Sequence, residues 1–315
     1  MVKQNDSRVT EFVLEGLTDK PELQLPLFFV LLGIYGITVI GNVGMILVIT
    51  FNSKFQSPMY FLLGNFSVID LFYSSVVTPK LLGNFVWEKN VIAYPACMTR
   101  PFFSCLFATA ECYILTAMAY NRYVAICCPL LYNVTMSQNV CNMLVTGVYI
   151  MGSTTAMIHT VSMMKLFFCE DSVIHHYFCD VLPLLKLSCS STYVNEDLLI
   201  FVGGFNVLIT TLAIIISYAL ILCNILQMSS AECKSKAFAT CGSHLIAVFF
   251  FFFFFNGSII FMYFKPTSSS NLAQEKVAAV FFTTVIPMLN PLIYSLRNKD
   301  VKNVLSRVMG MKYPG

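Results

Sequence analysis

Residues 198–228 read LLIFVGGFNVLITTLAIIISYALILCNILQM, without a single Asp, Glu, Lys or Arg. A helix needs about 20 apolar residues to cross a hydrocarbon core of ~30 Å, and this stretch exceeds that. Further stretches meet or approach the same length at 25–51, 58–79, 97–121, 139–164, 237–264 and 277–296. Among these, 58–79 carries Asp70 and 97–121 carries Glu111. The spacing therefore predicts seven membrane-spanning helices, called spans 1 to 7 in chain order. Composition agrees: 57% of the 315 residues are hydrophobic and 11% are charged, where a soluble domain carries roughly 25% charged residues. Mean hydropathy is +0.74.

The expected architecture is an all-α membrane bundle in one domain. Residues 1–24 form an N-terminal segment, 25–296 the bundle and 297–315 a tail. Strands are not expected, because hydrocarbon does not tolerate an open sheet edge. Residues 1–24 are polar and include acids, so span 1 itself is expected to serve as the insertion signal. In the tail, Val301, Val304, Leu305, Val308 and Met309 make one apolar stripe among lysines and arginines. That pattern predicts a short amphipathic helix on the inner leaflet, in contact with lipid. A net charge of +3 with no basic stripe argues against a nucleic-acid partner.

Lys and Arg are too evenly spread over the loops to orient the bundle, apart from the basic tail. Two other marks agree. Asn5-Asp6-Ser7 is a glycosylation sequon, usable only on the lumenal side. Cys97, Cys169, Cys179 and Cys189 fall on the same side as the N-terminus, where disulfides form. The N-terminus is thus expected outside and the tail in the cytoplasm. Four cysteines allow three pairings, and spacing does not choose among them.

Ionisable and amide groups inside a bilayer are costly and mark function. Glu111 and Arg122 share a face of span 3, Asp70 sits midway along span 2, and Asn42 and Asn290 are central in spans 1 and 7. They predict a polar core able to change partners between two helix arrangements, with a sodium ion between Asp70 and Glu111 as a further reading. Pro287 and Pro291 predict a kink in span 7. Asn290 is expected to bond the backbone groups freed there, with Tyr294 one turn further inward.

At this point the residues resemble a known family. "GN" at 41–42, "SPMYFLL" at 57–63, "MAYNRYVAIC" at 118–127, "HHYFCD" at 175–180, "LSC" at 187–189, "KAFATCGSHL" at 236–245 and "PMLNPLIYSLRN" at 287–298 are similar to the rhodopsin-like G-protein-coupled receptors. Within them they resemble the odorant receptors of the tetrapod-type branch. The resemblance implies a receptor, not an enzyme, that binds a small, mostly apolar volatile and activates a heterotrimeric G protein of the stimulatory, olfactory type, raising cAMP. It implies a multi-pass place in the plasma membrane, in the cilia of sensory neurons. It implies disulfides between Cys97 and Cys179 and between Cys169 and Cys189. The odorant is expected against Cys105, Ala108, Thr109 and Cys112 of span 3, Val202, Gly203 and Asn206 of span 5, Phe252 of span 6 and Thr283 of span 7. Coupling to the G protein is expected to rest on Asn121, Arg122, Tyr123, Tyr218, Asn290, Pro291 and Tyr294. No catalytic residue, cofactor or metal is implied.

The chain departs from the family in several places. Asn121 stands where an acid normally holds Arg122. Arg100 and Pro101 stand where a glutamine and an apolar residue are common, and Ala239 replaces a serine. Between Ser243-His244-Leu245 and Gly257 lie eleven residues, seven of them the phenylalanines 249–255. The family usually has about seven residues there, so roughly one helical turn is added. Asn256 and Phe252 then compete for the same pocket-facing position.

Other classes fit less well. A transporter predicts inverted repeats or discontinuous helices around a midplane site, and neither is visible. No nucleophile–base pair stands at helical spacing, and His159 and His244 lie near opposite faces. His175, His176, Cys179 and Asp180 resemble a metal cluster, but a disulfide at Cys179 would remove the thiolate a metal needs. A receptor for a non-odorant small molecule is the nearest alternative. Ser104 occupies the place of the aspartate of amine receptors, which argues against a cationic amine.

Overall fold

The computed structural model describes residues 9–18, 20–87, 90–168, 173–232 and 272–297, with scattered positions between 234 and 249. Asn5, Cys169, Ala239, Phe252, Asn256 and the tail with its expected stripe lie outside the described residues, as does most of span 6. Among the described residues, six helices are long and apolar enough to cross a membrane. Spans 1 to 4 are Pro21–Phe51, Pro58–Val86, Tyr94–Cys127 and Gln138–Met163. Span 5 runs Tyr193–Gln227, and span 7 occupies 272–297.

Most of these helices overshoot the sequence-based bounds, because a helix continues past the hydrocarbon edge until its chain chemistry stops it. Spans 1, 2 and 3 begin with proline in the first turn, where its missing N–H costs nothing and its φ is already helical. Span 3 is central and packs on spans 2, 4 and 5, while spans 1 and 7 close against each other and against span 2. Only 11% of the most apolar window of span 1 and 17% of that of span 5 is buried in protein, against 56% for span 2. The exposed Leu, Ile and Phe faces of the outer spans are the surface that lipid covers. Gly152 sets the contact of spans 3 and 4. A Cβ there would stand 2.7 Å from the backbone oxygen of Leu106.

A small sheet was not expected. Strand β1 (Glu11–Leu14) lies between β2 (Val91–Ala93) and β3 (Val173–Ile174). It pairs antiparallel with β2, Phe12 opposite Ile92, and parallel with β3, Leu14 opposite Ile174. The rule against open edges concerns hydrocarbon. This sheet sits on loops beyond the spans, and its register is set by alternation: Phe12 and Leu14 are fully buried while Glu11 and Val13 face out. Phe12 packs edge-on to Phe168 at 5.4 Å, in the cluster that also holds Cys97 and Cys179.

Two helices loosen by one turn. Leu199–Gly203 of span 5 and Phe281–Val285 of span 7 are π-helical. In span 7, Ile286 N–H bonds to Phe281 O, five residues back, just before Pro287, which has no N–H to give. Such turns are rare and concentrate at functional sites.

Candidate functional site

The middle of the bundle is a buried polar layer. Asp70, Glu111, Asn42 and Asn290 are at most 2% exposed. Asn290 Nδ2 donates to both carboxylate oxygens of Asp70, at 3.0 and 3.2 Å. Glu111 carries two oxygens with no hydrogen-bond partner among the described residues.

From sequence, Asn290 is expected to bond the backbone freed by the prolines; its amide nitrogen goes to Asp70 instead, and Asn42 bonds the freed carbonyl. A helix leaves the carbonyl four residues before a proline without a donor, and for Pro291 that carbonyl is Pro287 O. Asn42 Nδ2 donates to it at 3.1 Å, and to Thr38 O at 3.0 Å. Its neighbour Gly41 makes the approach possible, since a Cβ there would already be 3.0 Å from Pro291 Cγ. The "GN" of span 1 and the "NP" of span 7 are thus two halves of one joint.

Towards the Cys97 end, Thr109, Cys112 and Thr283 are buried and Cys105, Ala108, Val202 and Gly203 half-buried. Of the expected contact residues of spans 5 and 7, Val202 and Gly203 fall on one π turn and Thr283 on the other, while Asn206 lies just beyond the first, in Gly204–Gln227. Asn206 is committed between helices. It accepts from Tyr113 Oη at 2.8 Å and donates to Thr155 Oγ1 at 3.1 Å and Val202 O at 2.9 Å. Thr283 donates to Ala279 O at 2.8 Å, and its neighbour Thr284 meets Thr78 across to span 2 at 3.4 Å.

Above this layer Cys97 and Cys179 form a disulfide. Cys189 is also disulfide-bonded. The cluster 175–180 is taken apart by structural duties. Asp180 caps the helix Val181–Leu187, accepting from Val181 N at 2.8 Å, and burial pushes its carboxyl up. His176 is packed on Tyr177 and Phe178, and burial lowers its imidazole to about 3, so it stays neutral. Among the described residues, no three His, Cys, Asp or Glu stand together as a metal site.

Sequence reasoning missed Lys276. It is 4% exposed and donates to Glu15 Oε2 at 2.9 Å and Gly16 O at 2.8 Å. Glu15 also faces His175 Nδ1 at 3.6 Å. A lysine at the head of an apolar span was the available signal; with Asp6, Glu11, Glu15, Asp19 and Glu22 all in the N-terminal segment, its partner could not be chosen from sequence.

At the opposite end, Asn121 is 1% exposed and donates to Tyr132 Oη at 3.2 Å, on the one-turn helix Tyr132–Thr135. Arg122 Nε has no hydrogen-bond partner among the described residues. Tyr123 and Tyr218 pack on the small cluster of Ile221, Ile225 and Cys241. Tyr294 is 4% exposed, with its ring edge-on to Phe66 at 5.9 Å.

A bundle of long apolar helices, stitched at one end by a disulfide and carrying a partly unpaired arginine at the other, is the build of a membrane receptor. A family model described as "Olfactory receptor" matches residues 31–312. The chain is 55% identical to mouse olfactory receptor 8G50 over 99% of both chains. It is 58% identical to human olfactory receptor 8D1 over 98% of this chain and 99% of that one. It is 54% identical to human olfactory receptor 8B3 over 98% of this chain and 97% of that one. The chain belongs to the olfactory receptor family. It is a seven-helix, multi-pass membrane protein that senses odorants and signals through a G protein, and it is not an enzyme.

Proposed function

We propose that the odorant is a small, neutral, mostly apolar volatile held between spans 3, 5, 6 and 7 near the Cys97–Cys179 disulfide. Cys105, Ala108, Thr109, Cys112, Val202, Gly203, Phe252 and Thr283 line that space, with Asn206 shaping it from behind. The observation that carries the reading is the coincidence of both π turns with the expected contact positions of spans 5 and 7. A π turn shifts the helix face above it, which re-aims side chains into a cavity. An apolar lining with few polar groups suits a neutral ligand.

On this reading the bundle is one domain, the Cys97 end and a glycosylated Asn5 face outside, and Cys169 pairs with Cys189. Asn121, Arg122, Tyr123, Tyr218, Asn290, Pro291 and Tyr294 pass the change to a stimulatory, olfactory-type G protein on the cytoplasmic side, in the ciliary membrane. Membrane lipid contacts the tail helix. The test is a cAMP reporter assay against a broad volatile panel, with receptor at the cell surface verified. Thr283→Val and Val202→Phe should reorder the active volatiles at equal surface level. An unchanged ranking in both would overturn the pocket, and silence of the well-expressed wild type to the whole panel would count against the odorant class.

A further inference from the structure

The seam between spans 2 and 3 faces lipid and carries two cations, Arg100 and Lys80, at its Cys97 end. Arg100 is half-buried, and its Nη1 donates to Val76 O at 2.9 Å. Lys80 Nζ donates to Val91 O at 3.3 Å. Both side chains thus meet backbone carbonyls. Neither has a carboxylate within ion-pair distance among the described residues. Val76 is one turn before Lys80 on the same face of span 2, so the two cations share one patch. Two cations side by side at the rim of a low-dielectric seam repel, and an anion between them relieves both.

Below the cations runs a stack of rings. Phe103 and Phe107 follow Arg100 at three and seven residues, so all three share a face of span 3. Phe72 lies one turn from Val76 on span 2. Phe72 and Phe107 stack at 5.8 Å with planes 11° apart, and Phe103 and Phe107 at 6.2 Å and 17°. Phe72 is 53% and Phe103 43% exposed, so the stack forms part of the lipid-facing surface. Lone exposed phenylalanines on a span need only lipid. A column of parallel rings that ends at a paired cationic rim matches a molecule with a flexible apolar chain and a single acid head.

We propose that this seam binds a long-chain fatty acid from the membrane, its carboxylate between Arg100 and Lys80 and its chain along Phe103, Phe107 and Phe72. The guanidinium takes the carboxylate through two parallel N–H bonds, and the lysine adds a point charge. The site is separate from the odorant space, which lies on the inner faces of the bundle.

The test uses the purified full-length receptor in nanodiscs of zwitterionic lipid, with a photoreactive, long-chain fatty acid as probe. Saturable labelling should map to spans 2 and 3, and oleate should compete while oleyl alcohol, with the same chain and no acid, should not. Arg100→Gln should weaken labelling at least tenfold, since a hydrogen bond to a charged group is worth roughly one to two decades. Phe107→Ala should weaken it while the competition still discriminates oleate from the alcohol. Glutamine is common at this place in the family, so odorant response and surface level of Arg100→Gln report folding. Equal competition by oleate and oleyl alcohol, or unchanged labelling in Arg100→Gln, overturns the proposal. So does competition by phosphatidylserine but not by oleate, which would assign the rim to a phospholipid headgroup.

Discussion

The side-chain amide of Asn42 donates to Pro287 O at 3.1 Å, the carbonyl that Pro291 leaves without its helical donor. Span 1 thereby supplies the donor that the backbone of span 7 lacks at this carbonyl. Asn42→Ala should leave Pro287 O buried and unpaired, at about 1–3 kcal/mol. Thiol-reactive thermal unfolding of purified receptor should show a clear loss of Tm. Asn42→Asp, which sets an acceptor against an acceptor, should cost at least as much. A wild-type Tm in both would show that the joint carries no weight.

Asn121 bonds Tyr132 and gives Arg122 no charge from the adjacent position, and Arg122 Nε has no hydrogen-bond partner among the described residues. An aspartate at 121 can still accept from Tyr132 Oη and adds a negative charge beside Arg122. A charge-assisted hydrogen bond is roughly twice as strong as a neutral one. Basal cAMP in Asn121→Asp should therefore fall at equal surface expression. If it stays level or rises, the amide is not what under-stabilises the resting state.

The Cys97–Cys179 bond joins the head of span 3 to the loop that carries β3, across 82 residues of chain. Removing a native disulfide costs about 2–5 kcal/mol, here in a cluster where both cysteines are fully buried. Cys97→Ser and Cys189→Ser should each fail to reach the surface, scored by labelling of intact cells. Normal surface level and response in either variant would make that bond dispensable.

Glu15 and Lys276 tie the N-terminal segment to the head of span 7 at 2.9 Å. Burial raises the Glu15 carboxyl, but the hydrogen bond and charge of Lys276, with a smaller contribution from His175, hold it below its usual value. A depressed carboxyl stabilises the fold fully above its unfolded pKa, and that contribution is lost as pH falls through the folded value. The tie should thus be intact at neutral pH and weaken only below about 4.5. Glu15→Gln should cost on the order of 1–3 kcal/mol of stability at pH 7, read as a lower Tm, and the gap to wild type should shrink in acid. A gap that is the same at both pH values would place the effect outside this ion pair.

The apolar periods of spans 1 to 5 and 7 were legible because a helix in hydrocarbon must satisfy its own backbone, and length alone then marks it. The need for partners around Asp70, Asn42 and Asn290 was legible too, because unpaired polar groups are costly there. Which group partners which was not. Asn42 and Asn290 are both amides in mid-span, and only the approach of Gly41 to Pro291 assigns the orphan carbonyl to one and the carboxylate of Asp70 to the other. The strand at Glu11–Leu14 was hidden for a related reason: four residues of alternation carry little signal until β2 and β3 arrive from distant parts of the chain to pair with it. The π turns leave no mark in composition, since they arise from how a helix with Pro287, or with Gly203-Gly204, packs on its neighbours. The class of protein and the number of crossings follow from local hydrophobicity and ordered motifs, which the chain carries before it folds. The pairings of Asn42, Asn121 and Lys276 emerge only in the folded bundle, because a buried hydrogen bond depends on the position of a partner that the local chain does not encode.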